Sequence, residues 1–200
     1  MISSLTAEKL VCVRGEKRVF EGLSFRVTAG QALAVEGANG AGKTSLLRMI
    51  AGFLAPAAGR LVVKTAQGES DDGEERGKSI GWLGHQDGLK PQLTVIEQLN
   101  FFAHLYGKRA DPSLLEQVGL SRQADLPCRY LSAGQRRRLA LARLLASARP
   151  LWLLDEPFAA LDIAGQRLVA HLMALHCGQG GIIIAATHDP LGFGNESLKL

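Results

Sequence analysis

Gly37-Ala38-Asn39-Gly40-Ala41-Gly42-Lys43-Thr44 decides the fold, because it sets the spacing GxxxxGK[ST] between two segments of different periodicity. Residues 31–36 (QALAVE) before it are an apolar run of strand length. Residues 44–52 (TSLLRMIAG) after it place apolar side chains three and four apart and stop at glycine, the pattern of a helix. A strand, a glycine loop and a helix in this order build an anion site. Glycines let the backbone turn through positive φ and approach a phosphate closely, and the helix start adds the positive end of its dipole. Lys43 is placed to reach β- and γ-phosphates as a point charge, and the Thr44 hydroxyl to ligate Mg²⁺. The loop residues, with Ser45 directly after them, are the candidate nucleotide contacts.

Working outward, residues 9–13 (KLVCV) and 19–25 (VFEGLSF) read as short strands separated by the polar Arg14-Gly15-Glu16-Lys17, and Thr28-Ala29-Gly30 turns into the strand before the loop. On the other side, residues 61–65 read as a strand and 80–83 as another. Between them residues 67–78, with Asp71, Asp72, Glu74 and Glu75, read as a solvated loop. From Thr94 to about Arg149 the pattern is mostly helical. Thr94 with Glu97 three residues later is a candidate N-cap, and Asp111-Pro112 opens a second helix, SLLEQVG. Strand character returns in residues 151–155 (LWLLD), then a helix over 163–175 and a strand over 181–187 (GIIIAAT). This order predicts one α/β domain over residues 1–200: a phosphate-loop NTPase core of about 1–87 and 150–200, interrupted by a helical subdomain of about 88–149.

The strand LWLLD ends in Asp155 followed by Glu156. A phosphate-loop hydrolase places a cation-holding carboxylate and a water-orienting carboxylate at such a strand end. Asp155 is the candidate Mg²⁺ contact, and Glu156 the base that takes a proton from the attacking water.

Composition sets the outer limits. The 200 residues carry 23 Lys+Arg against 19 Asp+Glu, a net charge of +4, with 46% hydrophobic and 21% charged residues. A chain of this length buries about 70% of its unfolded surface and needs no disulfide or metal to fold. Its longest apolar runs, 181–187 and 139–148 with Arg143 inside, fall well short of the ~20 residues that span a bilayer. The N-terminal residues lack the basic segment and apolar core of a secretory signal, so synthesis is expected to end in the cytosol. Cys12, Cys128 and Cys177 are far apart without CxxC spacing, and are expected to be reduced and packed. Basic residues are scattered. Arg136, Arg137 and Arg138 read as a helix presenting some arginines to solvent and others to a partner's acids, and no nucleic-acid partner is expected.

Leu131-Ser132-Ala133-Gly134-Gln135, followed by an arginine-rich helix, resembles the LSGGQ signature of the ATP-binding cassette (ABC) ATPases, with Ala133 where glycine usually stands. A small-residue loop at a helix start is a second anion site. The resemblance implies the ABC ATPase fold with antiparallel N-terminal strands, and ATP with Mg²⁺. It also implies a head-to-tail homodimer in which Ser132, Gly134 and Gln135 close on the nucleotide of the second copy. It assigns Gln86 to Mg²⁺ or the lytic water, Asp162 to the subunit contact, and His188 to the γ-phosphate and the catalytic carboxylate. Family members often stack an aromatic residue on adenine. Arg14 stands at that position here and could stack through its guanidinium plane; Phe20 is the other candidate. Weak discrimination between ATP and GTP is the expectation.

Within this superfamily, Trp82-Leu83-Gly84-His85-Gln86 with the following DGLKPQLTVIEQLNFF, LSAGQ, LWLLDEPFAALD and GGIIIAATHDPL are similar to the ATP-binding subunits of cytochrome c maturation, the heme exporter group. That similarity implies a peripheral place on the cytoplasmic face of the plasma membrane. It implies an integral membrane subunit of the CcmB type, with a CcmC-like subunit beside it, docking on residues 89–102. Heme is met only indirectly, because His85, His104, His171 and His176 show no pairing that argues axial ligation. An exporter of lipid or drug carries the same catalytic motifs. A soluble ABC ATPase usually carries heptad arms or fused cassettes, and neither is seen in this sequence.

Overall fold

The computed structural model describes residues 2–200. Strands β1 (Ile2–Arg14) and β2 (Lys17–Thr28) form an antiparallel hairpin, and β3 (Ala32–Glu36) then runs into the phosphate loop and helix α1 (Lys43–Ile50). Next come β4 (Ala58–Thr65), β5 (Gly68–Ser70), α2 (Gly73–Gly77) and β6 (Ile80–Leu83). Helices α3 (Val95–Leu105), α4 (Ser113–Gln117) and α5 (Ala133–Ser147) fall between β6 and β7 (Leu151–Asp155). Helix α6 (Ile163–Gly178), β8 (Ile182–Ala186) and β9 (Glu196–Lys199) complete the order.

Two sheets result. One is antiparallel, ordered β2-β1-β4-β5; the other is parallel, ordered β6-β7-β8-β3-β9. β7 and β8 are buried at every residue, as strands covered on both faces must be. Their side chains alternate between two cores. Leu151, Leu153, Ile182 and Ile184 face α1 and the antiparallel sheet, whereas Trp152, Leu154, Ile183 and Ala185 face α5 and α6. The C-terminal ends of β3 and β7, one on either side of β8, emerge at the same edge of the parallel sheet, near the start of α1.

Several expectations are corrected. β1 begins at Ile2 rather than residue 9: Ile2, Ser4, Leu5 and Ala7 are buried, while Lys9, at φ +48°, bends the strand at a bulge. Gly59 of β4 lies against that bend, where a Cβ would strike the carbonyl oxygens of Glu8 and Lys9. Residues 67–78 are not simply a solvated loop. Asp72 caps α2, accepting from the N–H groups of Glu74 (2.7 Å) and Glu75 (3.2 Å), and Arg76 is buried, donating to Ile50 O at 2.7 Å. Burial pushes the Arg76 pKa down. β9 adds an edge strand beside β3, pairing Leu33 with Glu196.

Thr94 and Glu97 form the expected reciprocal cap on α3, with the Thr94 N–H donating to Glu97 Oε2 at 2.8 Å. At α4 the cap position is Pro112, and the Asp111 carboxylate accepts from the Ser113 N–H at 2.9 Å. The three cysteines are free and buried, and burial raises each thiol's pKa, that of Cys177 to about 11. Among the described residues no helix is long and apolar enough to cross a membrane.

Candidate nucleotide-binding site

The phosphate loop winds between β3 and α1 with Gly37, Gly40 and Gly42 all at positive φ. Gly42, at φ +108°, takes the cap position of α1 and makes no side-chain cap bond. A Cβ there would meet Val19 at 2.6 Å and Phe20 at 3.0 Å, so the position excludes a side chain by backbone and by space. The first N–H groups of α1 are thus left without a side-chain acceptor, ready for an anion.

Lys43 is 8% exposed, and its Nζ donates to Gly37 O at 2.7 Å. The same Nζ lies 2.9 Å from His188 Nε2, which in turn lies 3.2 Å from Asn39 Oδ1. That imidazole nitrogen can accept from the ammonium or donate to the amide oxygen, one at a time. It is also 3.6 Å from Glu156 Oε1. Thr44 Oγ1 donates to Asp155 Oδ2 at 3.0 Å, although 111 residues separate them. The parallel sheet makes this meeting, since β3 and β7 both neighbour β8.

Lys43, Thr44, Asp155 and Glu156 border one open cavity of about 840 Å³, and His188 contacts Lys43 and Glu156 at its edge. Ala38, Asn39, Gly40, Ser45 and Gln86 lie on its wall together with Lys43, Thr44, Asp155 and Glu156. Ala41 turns back, its N–H donating to Ala38 O at 3.1 Å. The wall also holds Arg14 and Val19. Phe20, the other candidate base partner, is not on the wall: it is half-buried and packs against the core beside Gly42. Sequence reasoning passed over Arg48, Trp82 and His85, which also line the cavity.

Ser132, Gly134 and Gln135 are not brought to this cavity. They form the start of α5, where the Ser132 N–H donates to Gln135 Oε1 at 2.8 Å and the Gln135 N–H to Ser132 Oγ at 3.2 Å. Gly134 packs against Ala160, whose carbonyl oxygen would lie 3.0 Å from an added Cβ. Asp162 caps α6, accepting from the Gly165 N–H at 2.8 Å.

The arginine run behaves differently from its expectation. Arg136 donates to Leu131 O at 2.7 Å and Arg138 to Val118 O at 2.9 Å, so both fold back onto main-chain carbonyls. Arg137 is 4% exposed and reaches the ends of β6 and β7. One sequence signal for it exists: Arg137 stands four and seven residues before Leu141 and Leu144, on the buried face of α5.

Comparison with known proteins fits this geometry. The ABC transporter family model matches residues 20–159. The cytochrome c biogenesis ATP-binding export protein CcmA of Rhodopseudomonas palustris (strain BisB5) is 50% identical over 198 residues, covering 98% of this chain and 97% of the relative. The chain belongs to the ABC transporter family. Within it, the chain stands with the cytochrome c biogenesis ATP-binding export proteins, ATPase subunits of export complexes; CcmA of Bradyrhizobium diazoefficiens is also 50% identical with the same coverage. A putative ABC transporter ATP-binding protein from Pyrococcus furiosus shares the fold, with a TM-score of 0.85 and 24% identity over 99% of this chain and 98% of that one. A dimeric ATP-binding cassette in a post-hydrolysis state with ADP and Pi has a TM-score of 0.77 and 25% identity, covering 92% of this chain and 88% of its own.

Proposed function

We propose that this chain hydrolyses ATP as one half of a head-to-tail homodimer, on the cytoplasmic face of the membrane, powering an export complex of cytochrome c biogenesis. The convergence of Lys43, the Thr44–Asp155 pair and Glu156 on one cavity, with His188 against both Lys43 and Glu156, carries the reading. Triphosphate lies along the phosphate loop, with main-chain N–H groups and Lys43 against its oxygens. Arg14, on the cavity wall, stacks on the base through its guanidinium.

Thr44 and Asp155 present two hard oxygens side by side beside the phosphates, which fits Mg²⁺ completed by water and phosphate oxygens. Bound there, Mg²⁺ supplies charge neutralisation at the β- and γ-phosphates. Glu156 orients a water at the γ-phosphorus and takes its proton as the new P–O bond forms. The bond to the bridging oxygen breaks, and its electron pair leaves with ADP. His188, 3.6 Å from Glu156, steadies the carboxylate, and Gln86 on the cavity wall registers the γ-phosphate.

Ser132, Gly134 and Gln135 serve the partner copy's nucleotide. An integral membrane subunit of the CcmB type, with a CcmC-like subunit beside it, docks on residues 89–102. Val95, Gln98 and Leu99 of that stretch are buried, which leaves the surface around Lys90, Pro91 and Gln92 and the half-buried Phe101 and Phe102 for contact. Heme is met only indirectly by this chain, and nucleic acid is not a partner.

The test is Glu156→Gln in the full chain, co-expressed with its membrane subunits. The variant is expected to retain ATP, accumulate as a stable dimer and leave c-type cytochromes without heme. Wild-type hydrolysis by Glu156→Gln would remove Glu156 as the base. Fully heme-loaded c-type cytochromes in a strain lacking the chain would end the biogenesis reading.

A further inference from the structure

Arg137 sits in the first half of α5, outside the cavity wall, and spends its guanidinium on two segments that the hydrolysis step needs. Its Nη1 donates to Gly84 O at 2.7 Å and to Asp87 Oδ1 at 3.1 Å; its Nη2 donates to Asp155 O at 2.6 Å and to Glu156 O at 2.7 Å. Gln86 lies between the first pair of acceptors, and Glu156 is itself one of the second. Arg143, farther along the same helix, holds the Gln86 loop from its other side by donating to Asp87 O at 2.8 Å.

Glu156 has φ +50°, a conformation that a residue with a Cβ adopts only when its surroundings over-determine it. Here the backbone is fixed from both ends. The Glu156 N–H donates to Ala186 O at 2.8 Å, and its carbonyl accepts from Arg137 and from the Ala159 N–H at 3.1 Å. A buried guanidinium is a costly way to fill this space, since an apolar side chain continuing the Leu141 and Leu144 stripe would pack there without desolvating a charge. What the apolar residue would lack is the fork that joins two main-chain segments at fixed angles.

We propose that Arg137 is the positioning residue of the ATPase site: it sets the orientation of Glu156 and holds the Gln86 loop at a fixed distance from it. The inference rests on the ATPase reading above. Arg137 lies off the cavity wall, so its loss should leave ATP binding intact and slow the chemical step.

Full-length Arg137→Lys and Arg137→Met test this through ATP-analogue affinity, steady-state hydrolysis and thermal melting. Lysine keeps the charge but has one nitrogen and cannot bridge both segments. For both variants kcat is expected to fall at least about tenfold while analogue affinity stays within about twofold, the signature of misplaced rather than missing groups. The double variant R137K/E156Q is expected to be no slower than E156Q alone, because one residue acts through the other. Wild-type kcat in Arg137→Lys would overturn the proposal. So would affinity and melting temperature falling in step with kcat, or a double variant showing the product of the two single losses. Should Arg137→Met fail to fold, Arg137→Lys decides alone. A Lys43→Ala chain that hydrolyses ATP at the wild-type rate would overturn the ATPase reading and this proposal with it. Failure of the proposal alone leaves Lys43→Ala inactive and Arg137→Lys fully active.

Discussion

The molecule carries two small-residue loops at helix starts, and they differ in what their helices still have to give. At the phosphate loop the cap position is Gly42, with no side-chain cap bond, and a buried Lys43 follows it. At the loop over residues 131–135 the helix start is closed by its own side chains, Ser132 and Gln135 each accepting from the other's N–H. The first loop surrounds anion space within its own chain. The second has part of its donor capacity spent and borders no such space. A glycine loop on a helix is therefore a phosphate site within its own chain only when the rest of the fold brings a cation and a cavity to it; the loop over residues 131–135 is proposed to be completed by a second copy.

The sharpest way to break this contrast is Lys43→Ala. Removing the one lysine inside the phosphate loop should lower turnover by about two orders of magnitude or more, as loss of a preorganised charge donor does. Phosphate release at saturating ATP checks it. The next effect belongs to the other loop. Gly134→Asp should lower turnover about tenfold or more through repulsion of the partner's γ-phosphate, with ATP affinity of the separate chain held within about twofold. Gly134→Ala is the control for shape, because its Cβ would also sit 3.0 Å from Ala160 O without adding charge. Equal losses in both variants would assign the effect to packing against Ala160 and not to a nucleotide.

How far each region could be read beforehand follows from where its partners lie in the chain. The phosphate loop and the Asp155-Glu156 pair are contiguous motifs, and the strands beside them are covered on both faces, so LWLLD and IGWL stand out as unbroken or nearly unbroken apolar runs. β9 gives no such signal, because ESLK is a short, mostly exposed edge. Arg76 and Arg137 were the harder misses. Charge in a sequence reads as solvated, and nothing local shows that Arg137 will find carbonyls 53 residues before it and 18 residues after it. The acceptors are main-chain atoms, which carry no residue identity to read. Which of the two candidate base partners lines the cavity was illegible for the same reason: the pairing of β1 and β2 puts Arg14 on the cavity wall and leaves Phe20 half-buried against the core.

The smallest predicted effect separates helix capping from phosphate contact within a single loop. Thr94 on α3 and Ser132 on α5 make the same reciprocal cap, so Thr94→Ala and Ser132→Ala should each cost about 1 kcal/mol in urea unfolding. Their turnover should differ. Thr94 has no place at a nucleotide, and its alanine variant should hydrolyse ATP at the wild-type rate in the homodimer without its membrane subunits. Ser132 is proposed to meet the partner's γ-phosphate, and its loss should slow hydrolysis a few-fold, about the worth of one charge-assisted hydrogen bond on a partly exposed site. Matched stability losses with a turnover loss confined to Ser132→Ala would give the hydroxyl a second role beyond the cap. A matched turnover loss in Thr94→Ala would instead trace both to helix stability, and the loop over residues 131–135 would then be an ordinary capped helix start.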